Sequence, residues 1–482
     1  MKKLSPQEKG LLENIFVFSQ EKNVQLYLVG GFLRDLLLNR SKINPDIDFC
    51  LSKDAISFGK ALSRKINSDF VVLDQQHDCC RLLKQVEGKT YTIDISSFRG
   101  ITLEDDLRLR DFAINAMAIE LNQKFLTGKL DFIDPWNGQR DIETKVIRHL
   151  AKNTFQDDPL RILRAFSFSA MLDFKISPDT LKKIRKERNK LSAVSFERIR
   201  EELFKILETQ DTYSYIRMMD KNGVLKAFLP EMDVMRKISQ GPYHHLDVWE
   251  HTLEALKQFD KLVKVNKNSD IKEYWDKEIS SGHKRLALIK LAILLHDIGK
   301  PKAKRKKGRK LYFHGHEWIG SRLTREISRK MKLSNNEEVF LNKLVFLHLR
   351  PGYLADNKTL TDRAAFRFFR DIGNDAPGLL TLSLADQRAT RGRLTTKQSR
   401  SSHEKLCAFL IKEYFRKAKE VKLPKLVNGN DIMRAFNIKP SELVGKILKE
   451  IEEAQAIGKI KDKQEALDFG AKVLKKCQKK KN

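Results

Sequence analysis

The sequence contains few cysteines, no long apolar run and too few acidic residues to balance its bases. Its five cysteines are odd in number and lack a framework spacing, which argues against a disulfide scaffold and predicts reduced thiols in a cytoplasmic compartment. No apolar run reaches the length of a membrane span. The opening MKKLSPQEKG carries a glutamate and leads into no signal-type apolar region, so we expect no targeting peptide. We therefore expect a cytoplasmic protein without a membrane partner.

The shortage of acids leaves a large basic excess. Among 482 residues, 93 Lys and Arg stand against 63 Asp and Glu, a formal net charge of +30. This balance favours a polyanionic partner, with RNA or DNA ahead of a membrane surface, although a merely soluble basic protein would carry the same charge. Basic clusters occur in Lys300–Lys310, at Arg388, Arg391 and Arg393, and in the terminal KKCQKKKN. Their sum predicts salt-sensitive binding of phosphates.

The stretch Leu26–Leu51 combines features that suit a phosphate and a metal ion. A predicted strand ends in Gly30 and Gly31, where a phosphate can approach bare backbone N–H groups, and a short helix follows. Asp46 and Asp48 lie two apart in an extended segment, so their carboxylates project from one face. Paired carboxylates beside a triphosphate pocket are what Mg²⁺-assisted phosphoryl chemistry requires. The alternative is a Gly-Gly turn followed by a solvated Asp-X-Asp.

Two further segments add polar residues to this part of the chain. A β-like run carries Asp94, which strand pairing could bring beside the first two carboxylates as a third. The apolar segment LRLRDFAINAMAIEL contains Arg110, Asp111 and Asn115. Burying such groups without partners costs several kcal/mol. They are therefore either partners of one another or ligand contacts.

From Thr154 onward the pattern predicts helix after helix with no convincing strand, the first four at 157–172, 177–190, 195–209 and 212–226. The first of them begins Asp-Asp-Pro, a helix-start signature. Asp158 and Arg161 lie three apart and share a face. One acceptor and a fork of donors could contact the Watson–Crick edge of cytosine or of adenine. The alternative is an intrahelical ion pair worth only tenths of a kcal/mol.

The ordered series LVGGFLRD…DID, the Asp94 strand with SSFR, LRDFAINAMA, DPWNGQRDI, FQDDPLRILRAFSF and SFERIREEL resembles the tRNA nucleotidyltransferase / bacterial poly(A) polymerase family in its class II form. The resemblance is close over about the first 210 residues and looser over the rest. It implies an α+β protein in which a DNA polymerase β-like nucleotidyltransferase head, with a mixed sheet and helices, precedes all-α domains. The implied domains are a catalytic head (1–148), a neck with the nucleotide-selecting template (149–228), an HD domain (229–398) and a basic RNA-binding tail (399–482).

The resemblance also implies functions for the residues in these motifs. Asp46 and Asp48 would bind two Mg²⁺ ions, with Asp94 as the third catalytic carboxylate. Asp158 and Arg161 would select CTP and ATP without a nucleic-acid template. The implied nucleotide-binding set is Gly30, Gly31, Arg34, Arg110, Asp111, Asn115, Asp158, Arg161 and Arg164. The implied partners are tRNA, CTP and ATP, and the implied reaction is attack of the tRNA 3′-hydroxyl on the α-phosphate with release of pyrophosphate.

The chain departs from the family pattern at three places. Asp157 replaces a glutamate before the template arginine, and Leu109 stands where a first arginine often precedes Arg110. Only residues 100–103 separate Arg99 from Glu104, whereas CCA-adding members usually carry a longer flexible loop there. Members with this loop shortened resemble the CC-adding type. We therefore expect a CC-adding enzyme in preference to a full CCA-adding one, with a poly(A) polymerase or a phosphohydrolase acting on RNA ends as the alternatives.

A second set of metal-ligand types lies in the later half. His296 and Asp297 follow an apolar helix, with His251 upstream and Asp386 on a later helix. This set suits a hard-to-borderline divalent metal and resembles the HD phosphohydrolase superfamily, with His316 as a candidate fifth ligand or phosphate contact. Such a domain could hydrolyse phosphomonoesters or 2′,3′-cyclic phosphates at RNA ends. It could also serve as an inert tRNA-binding scaffold.

Overall fold

A computed structural model describes residues 4–41, 44–280, 282–308, 310–357, 359–418 and 424–479. Arg309 of the predicted basic loop and the last three residues of the basic C-terminus lie outside the described residues. The chain divides into two compact units, one made of residues 1–209 and 214–228, the other of 210–213 and 229–482. The finer division into four domains stays a prediction. Among the described residues, no helix has both the length and the apolar content that crossing a membrane requires.

The first unit contains, in chain order, α1 (Pro6–Glu21), β1 (Tyr27–Val29), α2 (Gly31–Leu37), β2 (Asp46–Leu51), α3 (Ala55–Ile66), β3 (Asp69–Asp74), β4 (Cys79–Val86), β5 (Lys89–Ser97), α4 (Leu103–Arg108), β6 (Ala118–Glu120), α5 (Gln123–Leu126), α6 (Gly138–Glu143), β7 (Val146–Ile147), α7 (Thr154–Asp157), α8 (Arg161–Leu172), β8 (Lys175–Ile176), α9 (Pro178–Glu187), α10 (Phe196–Leu207), α11 (Thr212–Lys221, its first two residues in the second unit) and α12 (Val224–Phe228). The predicted α+β class is confirmed.

A six-stranded mixed sheet organises the first unit, with strand order β3-β4-β5-β2-β1-β6. Strands β2 and β5 are parallel, whereas β1 pairs antiparallel with both β2 and β6. In β2 the side chains alternate, since Ile47 and Phe49 are buried in the apolar core while Asp46 is exposed and Asp48 is half-buried. Helices α1 and α3 contribute Leu12 and other apolar side chains to the same core. The sheet therefore presents the two aspartates on the side away from that core.

The predicted helix over 157–172 is interrupted near its start. One turn, α7, ends at Asp157, and α8 begins only at Arg161. Asp158 is extended (φ −145°, ψ 102°) because the proline ring of Pro159 disfavours the helical conformation in the residue before it. The break separates Asp158 from the helix that carries Arg161, so the two residues do not share one helical face.

The second unit contains α13 (Val248–Val265), α14 (Ser269–Asp276), β9 (Glu278–Ser280), β10 (His283–Lys284), α15 (Arg285–Leu295), α16 (Lys300–Ala303), β11 (Arg305–Lys307), β12 (Lys310–Tyr312), α17 (His316–Lys330), α18 (Asn335–Leu347), α19 (Arg350–Ala355), α20 (Asp362–Ile372), α21 (Ala376–Ala389), α22 (Lys397–Ala418), α23 (Gly429–Phe436), α24 (Glu442–Ala456) and α25 (Lys463–Lys479). Short 3₁₀ helices occur in the two units at Ala113–Asn115, Arg188–Ala193, Pro230–Met235 and Gly373–Asp375.

The expectation of an all-helical chain beyond Thr154 was wrong in detail. The strand β8 pairs with β7, β9 pairs with β10, and β11 pairs with β12. Each of these strands has only two or three residues, which is too short to produce a recognisable period-2 pattern. The basic segment beginning at Lys300 is thus a short helix and a hairpin.

Charged side chains join the C-terminal helices to α20. In α20, Arg363 and Arg367 pair with Glu453 of α24, Arg367 at 2.8 Å, and Arg363 also pairs with Glu450 at 2.7 Å. The apolar side chains of α23–α25 form a core separate from the one to which α20 contributes. Glu453 is nearly buried, and although burial opposes its ionisation, these arginines lower its carboxyl pKa.

Candidate functional site

Three carboxylates meet at the exposed side of the mixed sheet. The parallel register of β2 and β5 places Asp94 directly beside Asp48, and Asp46 lies two residues before Asp48 on the same strand. The structure therefore places Asp94 beside the other two carboxylates, a proximity that the sequence alone could only suggest. Oxygen donors of this kind are the ligands that Mg²⁺ prefers, so the three residues fit a magnesium site.

The glycine pair lets the backbone approach these carboxylates. Gly30 has φ +74°, and a Cβ atom there would lie 2.7 Å from an Asp48 carboxylate oxygen and 3.4 Å from an Arg110 guanidinium nitrogen. A side chain at position 30 would therefore require both a strained backbone and a displaced carboxylate.

One cavity of about 780 Å³ brings the predicted head residues together. All twelve of them line it, namely Gly30, Gly31, Arg34, Asp46, Asp48, Asp94, Arg110, Asp111, Asn115, Asp158, Arg161 and Arg164. Further cations that the sequence reasoning had not assigned also line it: Arg40, Arg81, Arg99, Arg198 and Lys205. Cationic side chains outnumber acidic ones in this lining, which suits a polyanion such as a triphosphate.

A buried hydrogen-bond chain occupies one wall of the cavity. Arg34 donates to the Asn115 side-chain oxygen (2.8 Å), Asn115 donates to Asp111 (3.0 Å), and Arg164 donates to the other Asp111 oxygen (2.7 Å). Burial opposes ionisation of Asp111, yet Arg164 and Asn115 lower its carboxyl pKa. The guanidinium groups of Arg34 and Arg164 also lie over the Phe168 ring, at 5.1 and 5.0 Å from its centroid. Asp111 and Asn115 are thus partners of one another, and they orient two arginines.

Asp106, which the sequence reasoning missed, holds two more arginines. It accepts from Arg110 at 2.9 Å and from Arg99 at 2.8 Å, and it is completely buried. Burial raises the pKa of the Asp106 carboxyl, but Arg110 and Arg99 lower this pKa by a larger amount, so the net shift is downward. The four-residue spacing of Asp106 and Arg110 was the available sequence signal.

The two residues predicted to select the base have different partners. Asp158 accepts from Arg198 (2.8 Å), whereas Arg161 donates to the backbone carbonyl of Leu109 (2.9 Å). The intrahelical ion pair that was the alternative interpretation is therefore not how these residues are paired. Arg198 lies in SFERIREEL, and its position in that motif was the only sequence signal for it.

Asp94 is held by Arg81 of the neighbouring strand. The guanidinium donates to both carboxylate oxygens, at 2.7 and 2.8 Å. The hydrogen bond to Asp94 raises the pKa of Arg81, and the charges of Asp46 and Asp48 raise it further.

The second unit gathers the other predicted ligand set at the ends of its helices. The His251 Nε2 atom lies 2.9 Å from an Asp386 oxygen, and the His296 Nε2 atom lies 3.2 Å from an Asp297 oxygen. The His316 Nε2 atom lies 3.4 Å from the other Asp297 oxygen. The structure thus brings all five predicted residues of this site together.

His348 is a sixth member that the sequence reasoning did not assign as a ligand. The donor atoms of His251, His296 and Asp386 lie within 4.8 Å of one another, and so do those of Asp297, His316 and His348. Like His296, His348 directly follows the apolar last turn of a helix, and this shared position was the available sequence signal. Burial and the neighbouring His316 lower the pKa of His348 to about 3, which leaves the ring neutral.

The histidines are oriented so that their Nε2 atoms face the centre of the cluster. The Nδ1 atoms of His296, His316 and His348 each lie 2.7–2.8 Å from the carbonyl oxygen three residues earlier, which fixes the ring as metal-bound histidines require. The His296 Nε2 atom and one Asp297 oxygen are buried, and the contacts of 3.2 and 3.4 Å that they make within the cluster lack hydrogen-bond geometry among the described residues. Orphaned donor atoms of this type fit a divalent metal.

Close backbone packing brings His316 to this cluster. A Cβ atom at Gly299 would lie 2.1 Å from the His316 carbonyl oxygen, so only glycine permits the approach of α16 to the start of α17. Lys300, the next residue, donates to Asp297 at 2.6 Å and to Gln240 at 2.6 Å.

Three family models match the chain. Residues 26–148 match the poly A polymerase head domain, 173–235 the probable RNA and SrmB-binding site of polymerase A, and 324–469 a putative domain 2 of tRNA nucleotidyltransferase.

Curated relatives cover nearly the whole chain. An A-adding tRNA nucleotidyltransferase of Deinococcus radiodurans is 30% identical over 454 residues, which span 92% of this chain and 94% of the relative. A CC-adding tRNA nucleotidyltransferase of Geobacter sulfurreducens is 28% identical and spans 92% and 91%. Among solved structures, the Thermotoga maritima CCA-adding enzyme complexed with tRNA matches with a TM-score of 0.64 at 24% identity, covering 98% of this chain and 96% of that chain. The last similarity supports the fold.

Proposed function

The chain belongs to the tRNA nucleotidyltransferase / poly(A) polymerase family and adds nucleotides to the 3′ end of tRNA, and we propose that it is a CC-adding enzyme that uses CTP. The observation that carries the reaction is the cavity in which three carboxylates face a surplus of arginines. The tRNA 3′-hydroxyl attacks the α-phosphate in line, and pyrophosphate leaves.

Each group in the cavity has a defined part in this reaction. Asp46 and Asp48 would hold Mg²⁺, with Asp94 beside them. Two ions bound there would lower the pKa of the attacking hydroxyl and neutralise charge on the leaving group. Arg34 and Arg110, oriented by the buried network, bind the triphosphate in a fixed geometry, so little reorganisation is needed when charge develops.

The base is selected by hydrogen bonding in the same cavity. Asp158 accepts from the cytosine amino group, while Arg161 donates to the ring nitrogen and the carbonyl oxygen. The Arg198 guanidinium (2.8 Å) and the Leu160 backbone N–H (3.1 Å) each donate to one Asp158 oxygen and orient the carboxylate, whose remaining lone pairs accept from the base. Arg164 has an indirect part in binding the nucleotide, because it donates to Asp111 and packs on the Phe168 ring.

The CC-adding subtype rests on the short segment between Arg99 and α4. Thr102 caps α4 through a reciprocal capping box with Asp105, and the backbone and side chain of Arg99 both donate to Asp106. Both ends of the segment are therefore anchored within a few residues, which leaves no length for a mobile loop. The Deinococcus relative favours an A-adding enzyme as the second candidate.

The deciding experiment supplies tRNA that ends at the discriminator base, in C or in CC, with CTP and ATP separately and together. We expect addition of two cytidines and no addition to tRNA-CC. Addition of a single A to tRNA-CC would instead support the A-adding candidate, and a long A tail would indicate a poly(A) polymerase.

Asp46→Ala should abolish all incorporation while tRNA binding is retained, and undiminished incorporation by this variant would refute the proposed metal site.

A second activity is proposed for the cluster of the second unit. The six donor atoms, two of them orphaned and buried, fit two divalent metal ions, and such sites hydrolyse phosphate esters. The proposed substrates are phosphomonoesters or 2′,3′-cyclic phosphates at RNA ends. The test incubates an oligonucleotide with a 2′,3′-cyclic phosphate terminus and Mn²⁺, with His296→Ala as the inactive variant and Asp46→Ala as the active control. Equal hydrolysis by His296→Ala would exclude this site.

A further inference from the structure

The contact between Arg81 and Asp94 has a defined geometry. The two residues are directly opposite on β4 and β5, and the Arg81 Nε and Nη2 atoms lie 2.7 and 2.8 Å from the two Asp94 oxygens. Their side chains are 42% and 26% exposed, so the pair lies at the cavity wall and not in the core. Both carboxylate oxygens are therefore engaged by one guanidinium.

Arg81 also belongs to the surroundings of the other two carboxylates. It lines the same cavity as Asp46 and Asp48, and the charges of both raise its pKa after that of Asp94. A guanidinium cannot be neutralised by losing its proton at ordinary pH. It therefore remains a fixed positive charge within the group of acids that is proposed to hold Mg²⁺.

We infer that Arg81 competes with the divalent cation for Asp94, and that it thereby makes metal binding at the head depend on the nucleotide. A metal ion bound to an Asp94 oxygen brings a second cation against this carboxylate, so it weakens or displaces at least one of the two hydrogen bonds from Arg81. The displaced guanidinium needs another anion, and the triphosphate supplies one in the same cavity. This inference rests on the proposed metal site.

The exchange has a thermodynamic consequence. A metal ion that binds alone displaces Arg81 from Asp94 and leaves the guanidinium without a new anionic partner. A metal ion that binds together with a triphosphate brings that partner with it. Metal and nucleotide therefore strengthen one another's binding, and by linkage the effect is reciprocal. Arg81 is in this sense a positioning residue that suppresses binding of the free metal.

The matched control lies on the same strand. Lys84 is three residues from Arg81 on β4, and its ammonium group donates to the backbone carbonyl of Asn67 (3.1 Å). Lys84→Gln removes the same charge from the same strand without touching Asp94. Any effect of lowering the overall net charge by one should therefore appear in both variants.

The experiment measures Mn²⁺ binding by electron paramagnetic resonance in the full-length protein, with and without a non-hydrolysable CTP analogue. The signal that Asp46→Asn removes defines the head site, and this subtraction excludes ions bound in the second unit. Arg81→Gln should tighten Mn²⁺ binding without nucleotide by on the order of threefold to tenfold, the range expected for a partly exposed bidentate pair. The CTP analogue should then add less tightening than in the wild type, and Lys84→Gln should behave as the wild type.

Two results would overturn the inference and differ in what else they affect. If Asp46→Asn removes Mn²⁺ binding but Arg81→Gln leaves it unchanged or weaker, the competition is refuted and the metal site stands. If Asp46→Asn removes no Mn²⁺ signal, the metal site itself is refuted and the inference with it.

Discussion

At the scale of single residues, Gly30 is a position where both a positive φ and a neighbouring carboxylate oppose a side chain. Gly30→Ala would bring a Cβ to 2.7 Å from Asp48 in a left-handed backbone conformation. Because displacement of a reacting group by about 1 Å can cost a hundredfold, we expect CTP incorporation to fall by roughly tenfold to a hundredfold in single-turnover assays.

Gly10→Ala is the matched control for this prediction. Gly10 lies in α1, and a Cβ atom added there would meet nothing within 4 Å, so alanine should fit and leave incorporation unchanged. An unimpaired Gly30→Ala variant would show that the close approach to Asp48 has no importance for catalysis.

Asp106 makes a prediction about acid stability. Its pKa in the folded protein is lowered, so its stabilising contribution is fully present above the unfolded pKa of about 3.9 and is lost as pH falls through the folded pKa. Asp106→Asn removes this contribution, so the melting temperature of the variant should fall less steeply below about pH 4 than that of the wild type. If the melting temperatures of both proteins changed with pH in the same way between pH 3 and pH 6, the stabilising role given to the ionised Asp106 would be contradicted.

The placement of Asp46 and Asp48 on one face of a strand could be predicted from the sequence because their spacing and strand pattern are local. The pairing of Arg81 with Asp94 was missed, although its signal was present. Glu87 and Gly88 form a two-residue turn with positive φ at both positions, which fixes the register of the two strands and places these residues opposite each other. By contrast, the bond between Arg198 and Asp158 joins segments 40 residues apart, and no local pattern encodes it.

At the scale of elements, the N-terminus of α4 ends the short segment after Arg99 on which the proposed CC-adding subtype rests. Thr102 accepts from the Asp105 backbone N–H, and Asp105 accepts from the Thr102 backbone N–H. Thr102→Ala removes one half of this cap and should lower the free energy of unfolding of the first unit by about 1 kcal/mol. It should also raise the KM for CTP, because Arg99 and Arg110 flank this helix.

Urea unfolding followed by fluorescence, together with initial rates at varied CTP, would measure both effects. Thr102→Ser keeps the hydroxyl oxygen and is the conservative control, so it should behave like the wild type. A stability loss equal in the two variants would indicate that the methyl group, and not the cap, is the important part.

The extended segment of Asp46 and Asp48, the Asp94 strand and the helix that carries Arg161 could be predicted from the sequence, whereas the short strands β7 to β12 could not. The longer elements repeat their apolar pattern over several turns or residue pairs. The strand β11 consists of three basic residues and so has no apolar face by which the sequence could indicate it. It forms because the chain reverses at Gly308 (φ +58°) and pairs with β12.

At the scale of the whole molecule, the net charge of +30 predicts a strong dependence of tRNA affinity on salt. Each phosphate neutralised by the protein releases counterions, so log K should decrease linearly with log salt concentration, and six to ten contacts would cost roughly 10³ to 10⁵ in affinity between 50 and 200 mM. Fluorescence anisotropy of labelled tRNA across this range measures the slope. A slope near zero would mean that the basic residues do not meet the phosphate backbone.

The ion pairs between α20 and α24 have a consequence for how such chains can diversify. Five residues, Arg363, Arg367, Arg370, Glu450 and Glu453, join two helical segments whose apolar cores are separate among the described residues. These ion pairs set the orientation of the two helical segments with only a few residues. The rest of the surface of the C-terminal helices can therefore vary in sequence without the repacking of a shared apolar core. C-terminal segments of different length or sequence could therefore be exchanged by recombination, provided that the five charges are inherited together.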